Sequence, residues 1–257
     1  MSLSEARHLD AAEQYSQGAV SRAVLVTGAS GGIGRACCRA FGEAGWWVGV
    51  HYCQNEAEAA LTLQEVTSLG AEGQLYQANV RNAESVHRMI EAFSARATGS
   101  LSLVCNAGIA QSQLVLRERE ETWNDTLETN LTGVFYCLRA FAAFLLPRGG
   151  GSIIVVGSHA GVQGGIGQAA YAASKAGLLG LVKTAAQEWG ADNIRVNLLL
   201  PGWHKTHLTE GAMPVREWTN HALRRPPSRD EIARTIVHLA GLEDVSGQVW
   251  NCDSRHM

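Results

Sequence analysis

No apolar run in these 257 residues reaches the roughly 20 needed to span a bilayer. The polar opening, residues 1–17, lacks the apolar core of a secretory signal. Positive charge is not in excess either. The net charge of -3 gives no electrostatic case for nucleic acid or an anionic membrane surface. The six cysteines (37, 38, 53, 105, 137 and 252) show neither CxxC nor zinc-ligand spacing, so no metal is expected. Cys37 and Cys38 sit in a helical pattern, and Cys105 and Cys137 in apolar runs, where buried thiols are the default. A reducing cytoplasm is the compartment this usage suits. Internal repeats and low-complexity linkers are missing too. What remains is a chain 46% apolar and 18% charged, long enough to bury one large core. The expected organisation is an extension over residues 1–20 and one domain over 21–257.

The stretch that organises the rest is Gln168-Ala-Ala-Tyr171-Ala-Ala-Ser-Lys175-Ala-Gly177. Its alanines read as a helix, on which residues four apart share a face. A phenol and an ammonium therefore point into one space. The ammonium favours the phenolate, which makes Tyr171 a usable proton donor and acceptor near neutral pH. Such a pair also falls four apart by chance on many helices, so it gains meaning from the rest of the chain.

Ala23-Val-Leu-Val26 has strand character and runs into Thr27-Gly28-Ala-Ser30-Gly31-Gly32-Ile33-Gly34. A helical pattern (Ala36, Cys37, Ala40, Phe41, Ala44) follows up to Gly45. Strand, glycine loop and helix aim backbone N–H groups and a helix N-terminus at a phosphate. The glycines are spaced GxxxGxG rather than GxGxxG. A second strand, Trp47–Val50, runs into His51-Tyr52-Cys53-Gln54-Asn55. No acidic residue stands there before Glu56 to meet a ribose 2′-hydroxyl. Tyr52 occupies the place among imidazole and amide groups, which leans towards a 2′-phosphate and hence NADP.

Strands and helices then alternate. Strands are expected over 74–78, ending at Asn79-Val80, and over 101–105, running into Asn106-Ala107-Gly108. Two more cover 152–156, ending at Gly157-Ser158, and 195–200, broken by Pro201-Gly202. Helices are expected over 83–97, 118–146 (containing Asn130) and from Tyr171 to Trp189. The alternation predicts an α/β, Rossmann-type doubly wound, mostly parallel seven-stranded sheet with helices on both faces. Ser30, Asn79, Asn106, Ser158 and Pro201 would then open on one edge, where such sheets bind ligands. Residues 203–227 read as a substrate lid. Ser228-Arg-Asp-Glu231 reads as a capping box for a helix through Leu239, and Gln248–Trp250 as the final strand.

The ordered set Thr27–Gly34, Asn106–Gly108, Asn130, Ser158, Tyr171-x-x-x-Lys175 and Pro201-Gly202-x-x-x-Thr206 resembles the short-chain dehydrogenases/reductases from about residue 22 to 250. Gly167-Gln168 before Tyr171, Ala-Gly177 after Lys175, and Pro201-Gly202 most resemble the 3-oxoacyl-[acyl carrier protein] reductases. The resemblance implies that Tyr171 protonates a carbonyl oxygen as hydride arrives from the nicotinamide, and that Ser158 orients that oxygen. Lys175 would lower the Tyr171 pKa and bind the nicotinamide ribose. Asn130 would hold a water that resupplies protons through Lys175. Gly28, Ser30, Gly31, Gly32, Ile33, Gly34, Tyr52, Asn79, Val80, Asn106, Ala107, Gly108, Pro201, Gly202 and Thr206 would complete the cofactor site. NADPH is the expected cofactor, with NAD as the alternative. The expected substrate is a small-molecule or carrier-bound ketone, with acyl carrier protein as a partner and a homotetramer or homodimer as the assembly.

Three positions depart from the resemblance. Gly31 stands where NADP-dependent relatives often carry a cation. Asp253-Ser254-Arg255 replaces Asp-Gly-Gly. His159, directly after Ser158, could donate to substrate, against the plainer reading of a satisfied or exposed loop histidine. Two other functions stay open: an NAD-linked dehydrogenase of a small alcohol or sugar, and a cofactor-binding subunit without turnover. Residues 110–117, 159–168 and 203–220 would line the substrate site, and none carries a self-explanatory recognition pattern.

Overall fold

A computed structural model of the chain describes residues 20–202 and 221–254. Residues 1–19 of the expected 1–20 extension, Thr206 and most of the expected lid lie outside the described residues, while Val20 begins the first strand. Among the described residues, seven strands form one sheet in the order β3-β2-β1-β4-β5-β6-β7, with every neighbouring pair parallel. They are β1 Val20–Val26, β2 Trp47–Tyr52, β3 Gly73–Gln77, β4 Ala97–Cys105, β5 Gly151–Val156, β6 Ile194–Leu200 and β7 Val249–Asn251. The chain builds outward from β1 to β3, then crosses to β4 on the other side of β1. Where strand order reverses, the loops after β1 and β4 diverge and leave a crevice at their C-terminal ends.

Period-two alternation decides which helices cover which face. Ala23 and Leu25 point to one side of β1, into a core with Phe93, Leu138, Phe141, Leu178 and Val182. These belong to α3 (Ala83–Ser94), α5 (Gly133–Leu145) and α7 (Ala169–Trp189). Val24 and Val26 point the other way, against Cys37, Phe41, Val66, Ile232 and Ile236. Those lie on α1 (Gly32–Glu43), α2 (Glu56–Ser68) and α8 (Arg229–Gly241). Fully buried side chains such as Phe93, Phe141 and Leu25 each contribute about 1.5–3 kcal/mol of transfer free energy.

Two elements differ from the sequence-based expectation. The helix expected to reach residue 97 stops at Ser94, because 97–100 pair with the start of β1, through a register shift between Val20 and Arg22. The helix expected over 118–146 begins as α4 (Glu120–Leu127), widens to a π-turn over Glu128–Thr132, and resumes as α5. This helical run, Glu120–Arg148, includes an apolar window long enough by composition to cross a membrane. In the fold its Val134, Leu138, Phe141 and Leu145 are spent on the core. Ser228 caps α8 as expected, its Oγ accepting from Glu231 N at 3.1 Å.

Candidate active site

Thr27 closes β1 and acts as a hub. Its Oγ1 accepts from Asn106 N and Ala107 N, both at 3.0 Å, and donates to Val104 O at 3.3 Å. Asn106 Nδ2 donates back to Thr27 O and Gly28 O, each at 3.0 Å. The Asn106–Gly108 loop is thereby fastened onto the glycine loop across the switch point. Contact is so close that a Cβ on Gly34 would lie 2.2 Å from Gly28 O, and one on Gly28 would lie 2.7 Å from Ala107 Cα. Gly28 also has φ +63°. Glycine is required at Gly34 by space, and at Gly28 by space and backbone angle.

Gly28 N–H does not face a phosphate position. It donates to His51 Nδ1 at 2.9 Å, while His51 Nε2 donates to Ala78 O at 3.1 Å. Burial lowers the imidazole pKa to about 4, so His51 is the neutral Nε2–H tautomer and ties the ends of β1, β2 and β3 together. The sequence reading missed this role, because it needs partners 23 and 27 residues away. The anion-seeking feature left is the start of α1, which has no acidic residue in its first turn. Ser30, Gly31 and Gly32 line it half-exposed, and Ile33 anchors the turn in the core. The cradle and the helix start fit a dinucleotide pyrophosphate.

At the ribose end, Tyr52 packs its ring in the core with its hydroxyl beside Glu56; burial first, then that carboxylate, raises the phenol pKa. Asn55 is committed to capping α2, its Oδ1 accepting from Glu58 N at 3.3 Å. Asn79 makes a local turn, Oδ1 accepting from Arg81 N at 3.0 Å, and Val80 is buried. Arg81 in turn reaches the carboxylates of Asp125 (2.7 Å) and Glu128 (2.5 Å) beside the π-turn.

That turn carries Asn130 inward, fully buried. Its Oδ1 accepts from Ile109 N and its Nδ2 donates to Ile109 O, both at 2.8 Å; Nδ2 also donates to Ser174 Oγ at 3.2 Å. Ser174 Oγ donates to Tyr171 O at 2.7 Å. Asn130 therefore clamps the Asn106–Gly108 loop and, through Ser174, the helix that bears Tyr171 and Lys175. Ser174 gave no signal in the sequence beyond lying inside the Tyr171–Lys175 spacing.

Tyr171, Lys175 and Ser158 come together as the helical spacing demands. Burial raises the Tyr171 pKa, and a hydrogen bond with Ser158 pulls the other way. Lys175 is buried, donates to Val156 O at 2.8 Å, and is lowered by that burial to about 8. Its Nζ lies 5.8 Å from the centre of the Tyr171 ring. The expected depression of the Tyr171 pKa by Lys175 is thus corrected. In this geometry the ammonium spends its hydrogen bond on Val156, burial dominates, and Tyr171 is a protonated phenol at neutral pH. The short helix α6 (Ala160–Gln163) can lie against Lys175 because Gly161 has no Cβ; one added there would sit 2.6 Å from Lys175 C. His159 is neither exposed nor aimed at solvent: it is buried, with Nε2 2.8 Å from Asn251 Oδ1. Pro201 and Gly202 close β6 on the same edge, Gly202 with φ +76°.

The family model for short chain dehydrogenases matches residues 22–217. The chain belongs to this family. As a short-chain dehydrogenase it is 37% identical over 238 residues to a 3-oxoacyl-[acyl-carrier-protein] reductase of Synechocystis sp., covering 91% of this chain and 96% of that one. It is 36% identical over 225 residues to the enzyme of the same name from Staphylococcus aureus, covering 86% and 91%. Among solved structures it resembles a protein of Sinorhizobium meliloti 1021 assigned to the short-chain alcohol dehydrogenases. That match has a TM-score of 0.85 and 31% identity, covering 92% of this chain and 96% of the other. An oxidoreductase acting on CH–OH groups on a Rossmann-type sheet is what this dehydrogenase is.

Proposed function

We propose that the chain reduces the ketone of a 3-oxoacyl thioester to a secondary alcohol, with NADPH as hydride donor and an acyl carrier protein delivering the substrate. The observation that carries the acyl reading is the edge above Tyr171. Gln113 N donates to Gly167 O at 2.9 Å, joining the two substrate loops. The joined loops display Leu114, Leu116 and Ile166 at 50%, 100% and 94% exposure. An apolar rim suits an acyl chain, whereas a sugar would need hydrogen-bonding side chains there. The names of the two reductase relatives point the same way.

When bound, a reduced nicotinamide supplies a hydride to the carbonyl carbon. The residues of this chain do the rest. The Ser158 hydroxyl donates to the carbonyl oxygen and fixes its direction. Tyr171, held protonated by burial, gives that oxygen its proton as negative charge develops. Lys175 holds a positive charge near the phenolate left behind and donates to ribose hydroxyls. Asn130 keeps the loop and helix that frame these groups in register.

A second reading, NADH as donor, is favoured by one observation: the Glu56 carboxylate beside the Tyr52 hydroxyl would repel a 2′-phosphate and accept from a 2′-hydroxyl. The test is consumption of NADPH and of NADH with an acetoacetyl thioester and a small diketone, and reduction of NADP+ and of NAD+ with a sugar-type alcohol. Thioester reduction with NADPH preferred supports the proposal. Turnover confined to the sugar-type alcohol would overturn the substrate class, and tighter use of NADH would overturn the cofactor.

A further inference from the structure

Three polar side chains that the acid–base chemistry does not use are buried together beside Ser158. His159 and His221 are 4% and 2% exposed, and the side chain of Asp253 is fully buried. His159 follows the serine at the end of β5. Asn251 ends β7, and Asp253 lies just beyond it. Asn251 Oδ1 accepts from Asp253 N at 3.2 Å and lies 2.8 Å from His159 Nε2. One oxygen facing both groups requires His159 to carry its hydrogen on Nε2. The Asp253 carboxylate lies 3.6 Å from that Nε2 and, on its other side, 3.7 Å from His221 Nδ1.

Asp253 also underlies the turn that closes β6. A Cβ on Gly202 would sit 2.4 Å from Asp253 Cβ and 2.7 Å from its Oδ2. One carboxylate therefore touches both the Pro201-Gly202 turn and the residue next to the serine. The departures noted in the sequence extend this contact. Ser254, where the resemblance has glycine, accepts from Leu223 N on its Oγ at 3.3 Å and from Ala222 N on its O at 2.8 Å. A glycine would supply only the second bond. The Ser158 hydroxyl itself accepts from Ala160 N at 3.1 Å, so its direction depends on the backbone at 159–160.

Building on the ketone-reduction reading, we propose that His159 and Asp253 are positioning residues: a buried strut that fixes Ser158, and the carbonyl it orients, relative to the Pro201-Gly202 turn. Neither side chain needs to touch substrate. The strut holds the angle of the serine while leaving the glycine loop, on the far side of the switch point, untouched. Misplacement by a fraction of an ångström would slow hydride transfer without weakening nucleotide binding.

The test compares His159→Leu, His159→Gln, Asp253→Ala and the His159→Leu/Asp253→Ala double variant. Each is read by kcat, KM for ketone and cofactor, cofactor Kd, and the primary isotope effect with deuterated reduced nicotinamide. His159→Leu and Asp253→Ala should each lower kcat about tenfold and raise the isotope effect, and His159→Leu should leave cofactor Kd within about twofold. His159→Gln, which keeps a donor near the Nε2 position, should recover most of the loss. The double variant should lose less than the sum of the two single losses, because the two residues share the His159–Asp253 contact. Unchanged kcat in His159→Leu, a loss that His159→Gln does not recover, or additive losses would overturn the strut. If His159→Leu does not fold, His159→Gln and Asp253→Asn carry the same comparison through the isotope effect. Imidazole ¹⁵N shifts of the unmodified protein need no substrate: an Nδ1–H tautomer at His159 would overturn the strut even if no ketone were turned over. Absence of ketone turnover in the unmodified enzyme, with the Nε2–H tautomer present, would instead overturn the reduction reading alone.

Discussion

The Lys175 ammonium donates to the Val156 carbonyl at 2.8 Å, which places the charge at the root of the Ser158 loop rather than on the Tyr171 oxygen. One side chain of the acid–base helix is thus also a tie to β5. Its charge is held in a buried position where it titrates at about 8.

Removing the proton and removing the charge should therefore have separable costs. Tyr171→Phe keeps the ring and should lower kcat about a thousandfold with cofactor affinity unchanged. Lys175→Met keeps the stem but loses all donors, so turnover and nucleotide affinity should fall together. Steady-state kinetics and nucleotide titration on both variants decide it. A Tyr171→Phe enzyme retaining most of its activity on a good substrate would remove the phenol from the mechanism.

The pH profile follows from the two shifts. Tyr171 is raised, so it remains a proton donor through the neutral range. Lys175, lowered to about 8, loses its charge first as pH rises. Ketone reduction, measured as kcat/KM with hydride transfer limiting, should fall on an alkaline limb near pH 8. A profile level from pH 7 to 9.5 would contradict the assignment.

His51 makes a stability prediction. Its folded pKa of about 4 lies below the unfolded value of 6.5, so between those values the unfolded chain binds more protons. Stability should fall as pH drops through that window, by about 3 kcal/mol in the limit. His51→Gln should be less stable than the unmodified protein at pH 7, and the gap should narrow towards pH 4. Urea denaturation at both pH values tests this, and parallel stability profiles would rule it out.

Glu56 is exposed, so its influence on cofactor choice should be modest. Glu56→Gln should shift the NADPH-to-NADH affinity ratio towards NADPH by about two- to fivefold, the range of a single exposed charge. An unchanged ratio in fluorescence titration would remove Glu56 from the ribose site.

The residues that sequence made legible are those whose meaning is local. Val24 and Val26 against Ala23 and Leu25, the glycine spacing after them, and the four-residue step from Tyr171 to Lys175 all follow from short periodicities. Ties across long separations were not legible: Gly28 to His51, Asn130 to Ile109, His159 to Asn251. Each is a polar contact between ordinary-looking residues that only the sheet order brings together. The first four residues of β4 were hidden for a related reason. Ala97–Ser100 have weak strand character and are extended by pairing with β1. The direction of the Tyr171 shift is not legible in the sequence, because a helix pattern reports neither burial nor that Lys175 donates to Val156.

The widened turn over Glu128–Thr132 holds one residue more than a regular α-helix would in the same rise. Each residue of an α-helix advances about 100° around the axis. A single deletion in that turn would let α4 and α5 fuse into one unbroken helix, with the flanking segments keeping their phase and the residues inside the turn rotated by up to that angle. Asn130 would then leave Ile109 while Val134, Leu138 and Phe141 kept their places in the core. Shortening this segment by one residue would keep the core and give up the Asn130 clamp.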